Sequence, residues 1–234
     1  MYLKLGKRLL DLGLALSALM FVGPILVLLA LLIRIKLGSP ILFCQERAGL
    51  HGRPFWLLKF RTMTDARDSE GRLLPDHQRI TPLGRFLRST SLDELPGLFN
   101  VLRGEMSLIG PRPLPVKYLS RYTPEQNRRH EVKPGVAGLA ALFGRSEQSW
   151  EDILAHDVWY VDHMSFWLDL KIIFGVLIVV IKREGVDPSA EGLVPEFMGS
   201  PALCVVESLV EDEPVPIRPA LRLSLLQERE NISH

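Results

Sequence analysis

Leu12-Gly13-Leu14-Ala15-Leu16-Ser17-Ala18-Leu19-Met20-Phe21-Val22-Gly23-Pro24-Ile25-Leu26-Val27-Leu28-Leu29-Ala30-Leu31-Leu32-Ile33 is a run of 22 residues without a charged side chain. As a helix it is about 33 Å long, enough to cross the hydrocarbon core of a bilayer. It is longer than the apolar region of a signal peptide, and no small-x-small cleavage pattern precedes the polar chain. Gly23-Pro24 sits at its centre. Proline there removes one backbone donor and clashes with the carbonyl of residue 20, so a kink or a break is expected. Basic residues flank both ends, Lys4, Lys7 and Arg8 before and Arg34 and Lys36 after. That leaves little of the asymmetry that sets orientation. Two paths fit the pattern. Either a kinked helix crosses the membrane, which such helices tolerate, or the chain enters, bends and leaves by the same face. The second path lays both basic flanks against anionic lipid.

Outward from this segment, no second clear span is found. Ile172 to Ile181 is apolar but short, bracketed by Lys171 and Lys182-Arg183, which suits a buried core helix or an interfacial one. A length of 234 residues allows one domain, or one domain with an appendage. The mean hydropathy of +0.14 is high for a soluble protein. The net charge of +1 balances 28 basic against 27 acidic residues, so total charge says little about partners. Cys44 and Cys204 are far apart, which argues against a disulfide framework or a zinc cluster and for a reducing compartment. His156 and His163 lie seven apart and could share a helix face, but two isolated histidines are expected to be packed or solvated rather than metal ligands.

Between the membrane segment and residue 113 the chain alternates short elements with polar loops. Gly38-Ser39-Pro40 breaks it, and Ile41-Leu42-Phe43 begins a strand. Phe55 to Arg61 reads as extended chain, with Lys59 and Arg61 on one face and Phe60 on the other. Two cations beside a hydrophobic anchor suit phosphate, or equally lipid headgroups. Residues 65–79 are polar, a loop or a mobile helix. Thr81 is a candidate cap for a short helix with Pro82 in its first turn, carrying Arg85 and Arg88.

Thr90 to Leu102 carries most of the chemical information. Ser91 with Glu94 three residues on has a capping-box pattern, and helical apolar spacing follows. Pro96 suggests a start later than Ser91 implies. Asp93 and Glu94 either decorate a helix start, where the macrodipole favours acids, or are functional. A carboxylate kept ionised at a helix N-terminus can act as a nucleophile. Adjacent helical residues point about 100° apart, so one acid would attack while the other holds a cation. Arg112 stands between Pro111 and Pro113, which restrict the backbone and present a planar five-donor cation suited to phosphate or a base edge. An ordinary proline-rich turn with a surface arginine reads the same out of context.

Taken together, Gln45-Glu46-Arg47-Ala48-Gly49, Lys59-Phe60-Arg61-Thr62-Met63, Ser91-Leu92-Asp93-Glu94-Leu95-Pro96 and Gly104-Glu105-Met106-Ser107-Leu108-Ile109-Gly110-Pro111-Arg112-Pro113 resemble the monotopic phosphoglycosyl transferases, bacterial sugar transferases acting on undecaprenyl phosphate. Lys133-Pro134-Gly135-Val136-Ala137-Gly138 with Gly144-Arg145, and Leu168-Asp169-Leu170-Lys171-Ile172-Ile173, follow in the family's order, so the resemblance covers about residues 1–185. Two departures stand out. The family commonly has glutamine at the place of Gly97, and a tryptophan-containing segment at the place of Leu139 to Phe143. The first leaves a polar contact unmade and the second bears on the sugar or carrier pocket.

The resemblance implies a helix-rich α/β fold. A re-entrant membrane helix broken at Gly23-Pro24 (residues 1–37) precedes a small catalytic domain (38–185) embedded at the cytoplasmic face of the bacterial inner membrane. It implies attack by Asp93 on the sugar-bearing phosphorus of a UDP-sugar, release of UMP, and transfer of the phosphosugar from Asp93 to polyprenol phosphate. Glu94 is assigned to Mg2+. Lys59, Arg61, Arg88, Arg112 and Arg145, with Pro111 and Pro113, form the substrate-binding set. The expected partners are the UDP-sugar, polyprenol phosphate and membrane lipid, without nucleic acid; homodimerisation is left open. Rival readings are a glycosyltransferase releasing UDP and a non-enzymatic scaffold of a polysaccharide export complex. Residues 186–234 form a proline-rich extension with an acidic turn, Glu211-Asp212-Glu213, and a hairpin expected from Ala202 to Val210 and Ile217 to Leu226.

Overall fold

The computed structural model describes residues 5–143, 148–182 and 196–200. Its elements in chain order are α1 (Lys7–Lys36), β1 (Leu42–Ala48), β2 (Pro54–Phe60), the short α2 (Asp76–Arg79), α3 (Pro82–Ser89), α4 (Gly97–Arg103), β3 (Ser107–Ile109), the single turn α5 (Pro124–Asn127), β4 (Gly135–Ala137), α6 (Trp150–His163) and α7 (Phe166–Lys182), joined in part by 3-10 turns. The helix-rich α/β expectation is met, with two small sheets: β1 and β2 pair antiparallel, β3 and β4 parallel.

Helix α1 is continuous from Lys7 to Lys36 with Pro24 inside it. The backbone is therefore not broken at Gly23-Pro24, as the sequence suggested. A missing donor at one proline costs a single ladder bond, which the flanking turns sustain. Lys7, Asp11, Ala15, Leu26, Leu29 and Ile33 are buried, a stripe at helical spacing. Around Ala15 the stripe packs with Phe55, Leu57, Leu98, Val101 and Met106. Further along, Leu26, Leu29 and Ile33 meet Phe60 and Leu87. The opposite face leaves Leu9, Leu16, Met20, Phe21, Val27, Leu28, Leu31 and Ile35 exposed.

Of the basic flank before the apolar run, Lys7 and Arg8 do not face outward as expected, and Lys4 lies outside the described residues. Lys7 Nζ donates to Asp169 Oδ2 on α7 at 2.7 Å, and Asp169 also accepts from the Tyr160 hydroxyl. Arg8 donates to the carbonyls of Val101 and Leu102 at 2.6 and 2.9 Å, satisfying orphan acceptors at the C-terminal end of α4. Asp11 accepts from Ser107 Oγ and the Leu108 amide, both at 3.0 Å. These polar ties fix the start of α1 to α4, α7 and β3. After the run, Arg34 and Lys36 are exposed.

Helix α7 is half core helix and half exposed face. Ile172 packs with Ile109, Leu139 and Tyr160, whereas Phe174, Leu177 and Ile178 are exposed. Leu139 to Phe143 packs into this same core, with Phe143 stacked on His156 at 4.3 Å. Leu139 is buried in this core, and Leu142 and Phe143 pack partly buried against it. His163 is exposed and stacks on Trp159. The hairpin expected at 202–226 lies outside the described residues. Of the extension, Phe197 is buried among Leu114, Tyr118 and Leu154, with Tyr122 and Trp150 against it.

Removing one partner of a buried ion pair leaves an uncompensated charge. Asp169→Ala is expected to destabilise the protein by about 3 kcal/mol or more, whereas the double change Lys7→Met with Asp169→Leu recovers most of the loss. Thermal unfolding of the three detergent-solubilised proteins checks this.

Candidate active site

The site forms where the β1–β2 ribbon, the turn before α4 and the loop after β3 converge. Asn100, fully buried on α4, places these parts. Its Oδ1 accepts from the Leu58 amide at 3.1 Å and its Nδ2 donates to the Trp56 carbonyl at 2.7 Å. The side chain thereby satisfies the outer edge of β2 as a neighbouring strand would. With α4 held there, the turn before it lies against Lys59.

That turn is 3-10, Leu92–Glu94, and α4 begins only at Gly97. The late start suggested by Pro96 is found, but the capping box is not. Ser91 has φ 56° and ψ 16°, and its side chain makes no cap. A left-handed residue cannot hold the extended geometry of an N-cap. Asp93 is consequently not an exposed first-turn acid. It is buried, and its carboxyl is pushed up to about 6, first by burial and then by the neighbouring Glu94 charge, against the opposing pull of Lys59, Arg88 and Arg112. The expectation of a carboxylate held ionised by a helix N-terminus is thus corrected. What keeps it ionisable near neutrality is a ring of side-chain cations.

Glu94 organises that ring. Its Oε1 accepts from Lys59 Nζ at 2.8 Å and from Arg112 Nη2 at 2.9 Å. Arg88, near the end of α3, donates from Nε to Thr62 Oγ1 at 3.1 Å. Thr81 caps α3 as expected, accepting from the Gly84 amide. Gly84 is required by close approach: a Cβ there would stand 1.9 Å from the Thr62 carbonyl oxygen. The same contact brings Thr62 under Arg88.

Arg61 is not among the cations bound to Glu94. Beyond the end of β2 it binds Asp65, the Ser39 carbonyl and the Met63 carbonyl, fastening two loops. Its amide continues the ribbon pairing by donating to the Ile41 carbonyl at 2.9 Å. Arg145 lies outside the described residues. Pro111 and Pro113 are buried on either side of Arg112. The carbonyl of Arg112 accepts from Arg129 Nη2 at 2.7 Å, and buried Arg129 pairs with buried Asp157 on α6 at 2.6 Å. Asp157 is raised by burial, with Arg129 opposing.

A small cavity of about 60 Å³ opens between these parts, lined among others by Arg47, Lys59, Glu94, Gly97, Arg112 and Pro113. Gly97 is buried in its lining, and a Cβ there would meet the Leu58 carbonyl and Val136 at ordinary contact distance, 4.0 Å. Sequence reasoning missed Arg47, Asn100, Arg129 and Asp157. Arg47 lay inside a quoted motif without a role. Asp157, one turn beyond Leu154 on the buried side of α6, was visible as an acid on an apolar face. Among the described residues no cluster of His, Cys, Asp and Glu large enough to cage a metal ion is found.

The geometry is thus a buried carboxylate ringed by cations beside a second acid. The model of a family described as bacterial sugar transferase matches residues 2–183. The chain belongs to the bacterial sugar transferase family. This sugar transferase is 51% identical over 194 residues to a Bacillus subtilis protein named uncharacterized sugar transferase EpsL, covering 83% of this chain and 96% of the relative. It is 41% identical over 178 residues to the UDP-glucose:undecaprenyl-phosphate glucose-1-phosphate transferase of Klebsiella pneumoniae, covering 72% of this chain and 38% of the relative. A protein of the same name from Caulobacter vibrioides is 40% identical over 179 residues, covering 72% and 67%. Several other named relatives are longer, and the sugar transferase spans about two fifths of their length.

Because the folded-state pKa of Asp93 lies above its unfolded value, its ionisation costs stability as pH rises from about 4 through 6. Asp93→Asn is expected to stabilise the protein above that range, by up to about 3 kcal/mol, with the gain closing as pH falls to about 4. Unfolding temperatures of both proteins across this range check the sign.

Proposed function

We propose that this sugar transferase moves a sugar-1-phosphate from a UDP-sugar to polyprenol phosphate, releasing UMP, through a phosphosugar held on Asp93. The observation that carries the reading is the buried Asp93 carboxylate, opposed by Glu94 and drawn toward ionisation by Lys59, Arg88 and Arg112. A nucleophile aimed at a diphosphate must overcome like-charge repulsion, and preset cations do so without reorganising during the reaction. The names of the Klebsiella pneumoniae and Caulobacter vibrioides relatives support the donor and acceptor classes.

In the first half-reaction an Asp93 oxygen forms a bond to the sugar-bearing phosphorus as the bond to the bridging oxygen breaks, and UMP departs with the electron pair. In the second, a phosphate oxygen of the carrier forms a bond to that phosphorus and Asp93 is regenerated. One anhydride is exchanged for another, so no further nucleotide is consumed. Splitting the transfer lets one small cavity serve a soluble and a lipid substrate in turn. Arg112, fixed by two prolines and by Arg129 at its carbonyl, is held ready to meet phosphate oxygens with little ordering left to do.

Magnesium fits this donor set. The Asp93 and Glu94 charges oppose one another, and magnesium binds through one or two carboxylates, with substrate phosphates and water completing its shell. Glu94 would hold it. When bound, the ion supplies Lewis-acid neutralisation of the diphosphate.

We place the protein at the cytoplasmic face of a bacterial inner membrane, entering one leaflet. In support, one folded body meets α1 near its start, through Lys7, Arg8 and Asp11, and near its end, through Leu26, Leu29 and Ile33. The opposite face of α1 is apolar and exposed along its length. A body bonded to both halves of the helix stays on one side, which favours a re-entrant path bent at Pro24 over a crossing.

The deciding experiment is nucleotide release by purified protein given magnesium, undecaprenyl phosphate and a panel of UDP-sugars. UMP is expected with one donor, at a rate that rises with pH through about 6 as Asp93 ionises. Asp93→Asn is expected to lower turnover at least about 10³-fold and to abolish covalent phosphosugar labelling. Release of UDP instead would assign a glycosyltransferase that moves sugar alone.

A further inference from the structure

The β1–β2 register sets Arg47 opposite Phe55, Gln45 opposite Leu57 and Phe43 opposite Lys59. Directly opposed residues share a face, as do alternate residues of one strand. Arg47 and Lys59 therefore rise from the same face of the ribbon, roughly 13 Å apart along it, and both line the active-site cavity with Glu94 and Arg112. The stem of Arg47 is fixed. Its backbone bridges to Pro115, and the next amide, of Ala48, donates to the Leu114 carbonyl at 3.0 Å.

The guanidinium is only partly satisfied. One terminal nitrogen donates to Gln45 Oε1 at 2.6 Å, while the Nε–H is buried and has no acceptor. A buried donor without a partner is rare and asks for an explanation. Arg112 bears on the same space: after burial, it is the strongest influence depressing the pKa of Arg47. Two guanidinium groups and Lys59 thus border one small cavity whose lining, among the described residues, contains a single acid, Glu94, already bound by Lys59 and Arg112. Like charges gathered round an orphan donor make a cradle for an oxyanion.

Building on the proposed phosphosugar transfer, we propose that Arg47 binds the phosphate that Asp93 does not carry: the phosphate of UMP in the first half-reaction and that of the polyprenol carrier in the second. The charges most strongly felt by Asp93 are those of Glu94, Lys59, Arg88 and Arg112, whereas those most strongly felt by Arg47 are those of Arg112, Tyr118 and Glu94. Arg112 and Glu94 are common to both groups and line the cavity together with Arg47, while Asp93 adjoins Glu94 in the chain and is not itself part of that lining. In-line displacement makes a single place serve both substrates. UMP leaves opposite the new Asp93–phosphorus bond, and the carrier must attack opposite that same bond. Its phosphate therefore enters where that of UMP left.

The test uses the full chain in detergent, with UMP, uridine and farnesyl phosphate as calorimetric probes. In the wild type, UMP and farnesyl phosphate are expected to compete for one site. Arg47→Gln is expected to weaken both by at least about tenfold while leaving uridine affinity and the melting temperature unchanged, and Arg47→Lys to restore part of the loss. A general structural defect would weaken uridine equally, and that result would overturn the assignment. Unchanged affinity for both phosphates in Arg47→Gln would also overturn it, and weakening of UMP alone would overturn the shared position. If the wild type binds neither phosphate, the phosphosugar-transfer reading fails together with this one. If Arg47→Gln does not fold, Arg47→Lys carries the same comparison.

Discussion

The fold depends on polar anchoring at the start of an apolar helix. Lys7, Arg8 and Asp11 reach α7, the end of α4 and β3 in turn. Buried charges are costly unless paired, so each bond holds only in one register of α1 against the body. Apolar packing alone would not choose that register, because leucine-rich faces slide with little penalty. Through Arg8 the helix closes α4, and α4 carries at its other end the turn that holds Asp93. The apolar N-terminal helix and the candidate site are thus joined through one short helix.

Within the body, the site is an electrostatic compromise. Burial and Glu94 push the Asp93 carboxyl toward its neutral form, and Lys59, Arg88 and Arg112 pull it back. A solvated aspartate would be fully ionised but well hydrated, and a poor nucleophile for that reason. A buried one without cations would stay protonated. Here each cation arrives on its own support: Lys59 on the ribbon, Arg88 on a helix whose Gly84 rests against Thr62, and Arg112 on a proline-braced loop tied to Arg129 and Asp157.

Much of this was legible in the sequence because several signals are local. The helical run of α1, the Thr81 cap, the delayed start of α4 and the Lys59 strand follow from spacing and backbone chemistry within a few residues. The acidic pair and Arg112 were found through motif order. What was not legible depends on distant partners. Nothing near Lys7 or Arg8 says that they meet Asp169 and the carbonyls of α4, so they read as lipid-facing cations. Ser91 carries the right side chain for a cap but adopts a left-handed backbone. Nothing near Arg61 says that its side chain meets Asp65 and the carbonyls of Ser39 and Met63. Arg129 and Asp157 are 28 residues apart in sequence, with no shared motif to join them.

Asn100 has a consequence beyond placing the site. By occupying the Leu58 amide and the Trp56 carbonyl, it blunts the outer edge of a two-stranded ribbon. Bare edges are templates for strand addition by other chains. One amide side chain thus protects a minimal sheet from uncontrolled self-association, where a larger protein would add another strand.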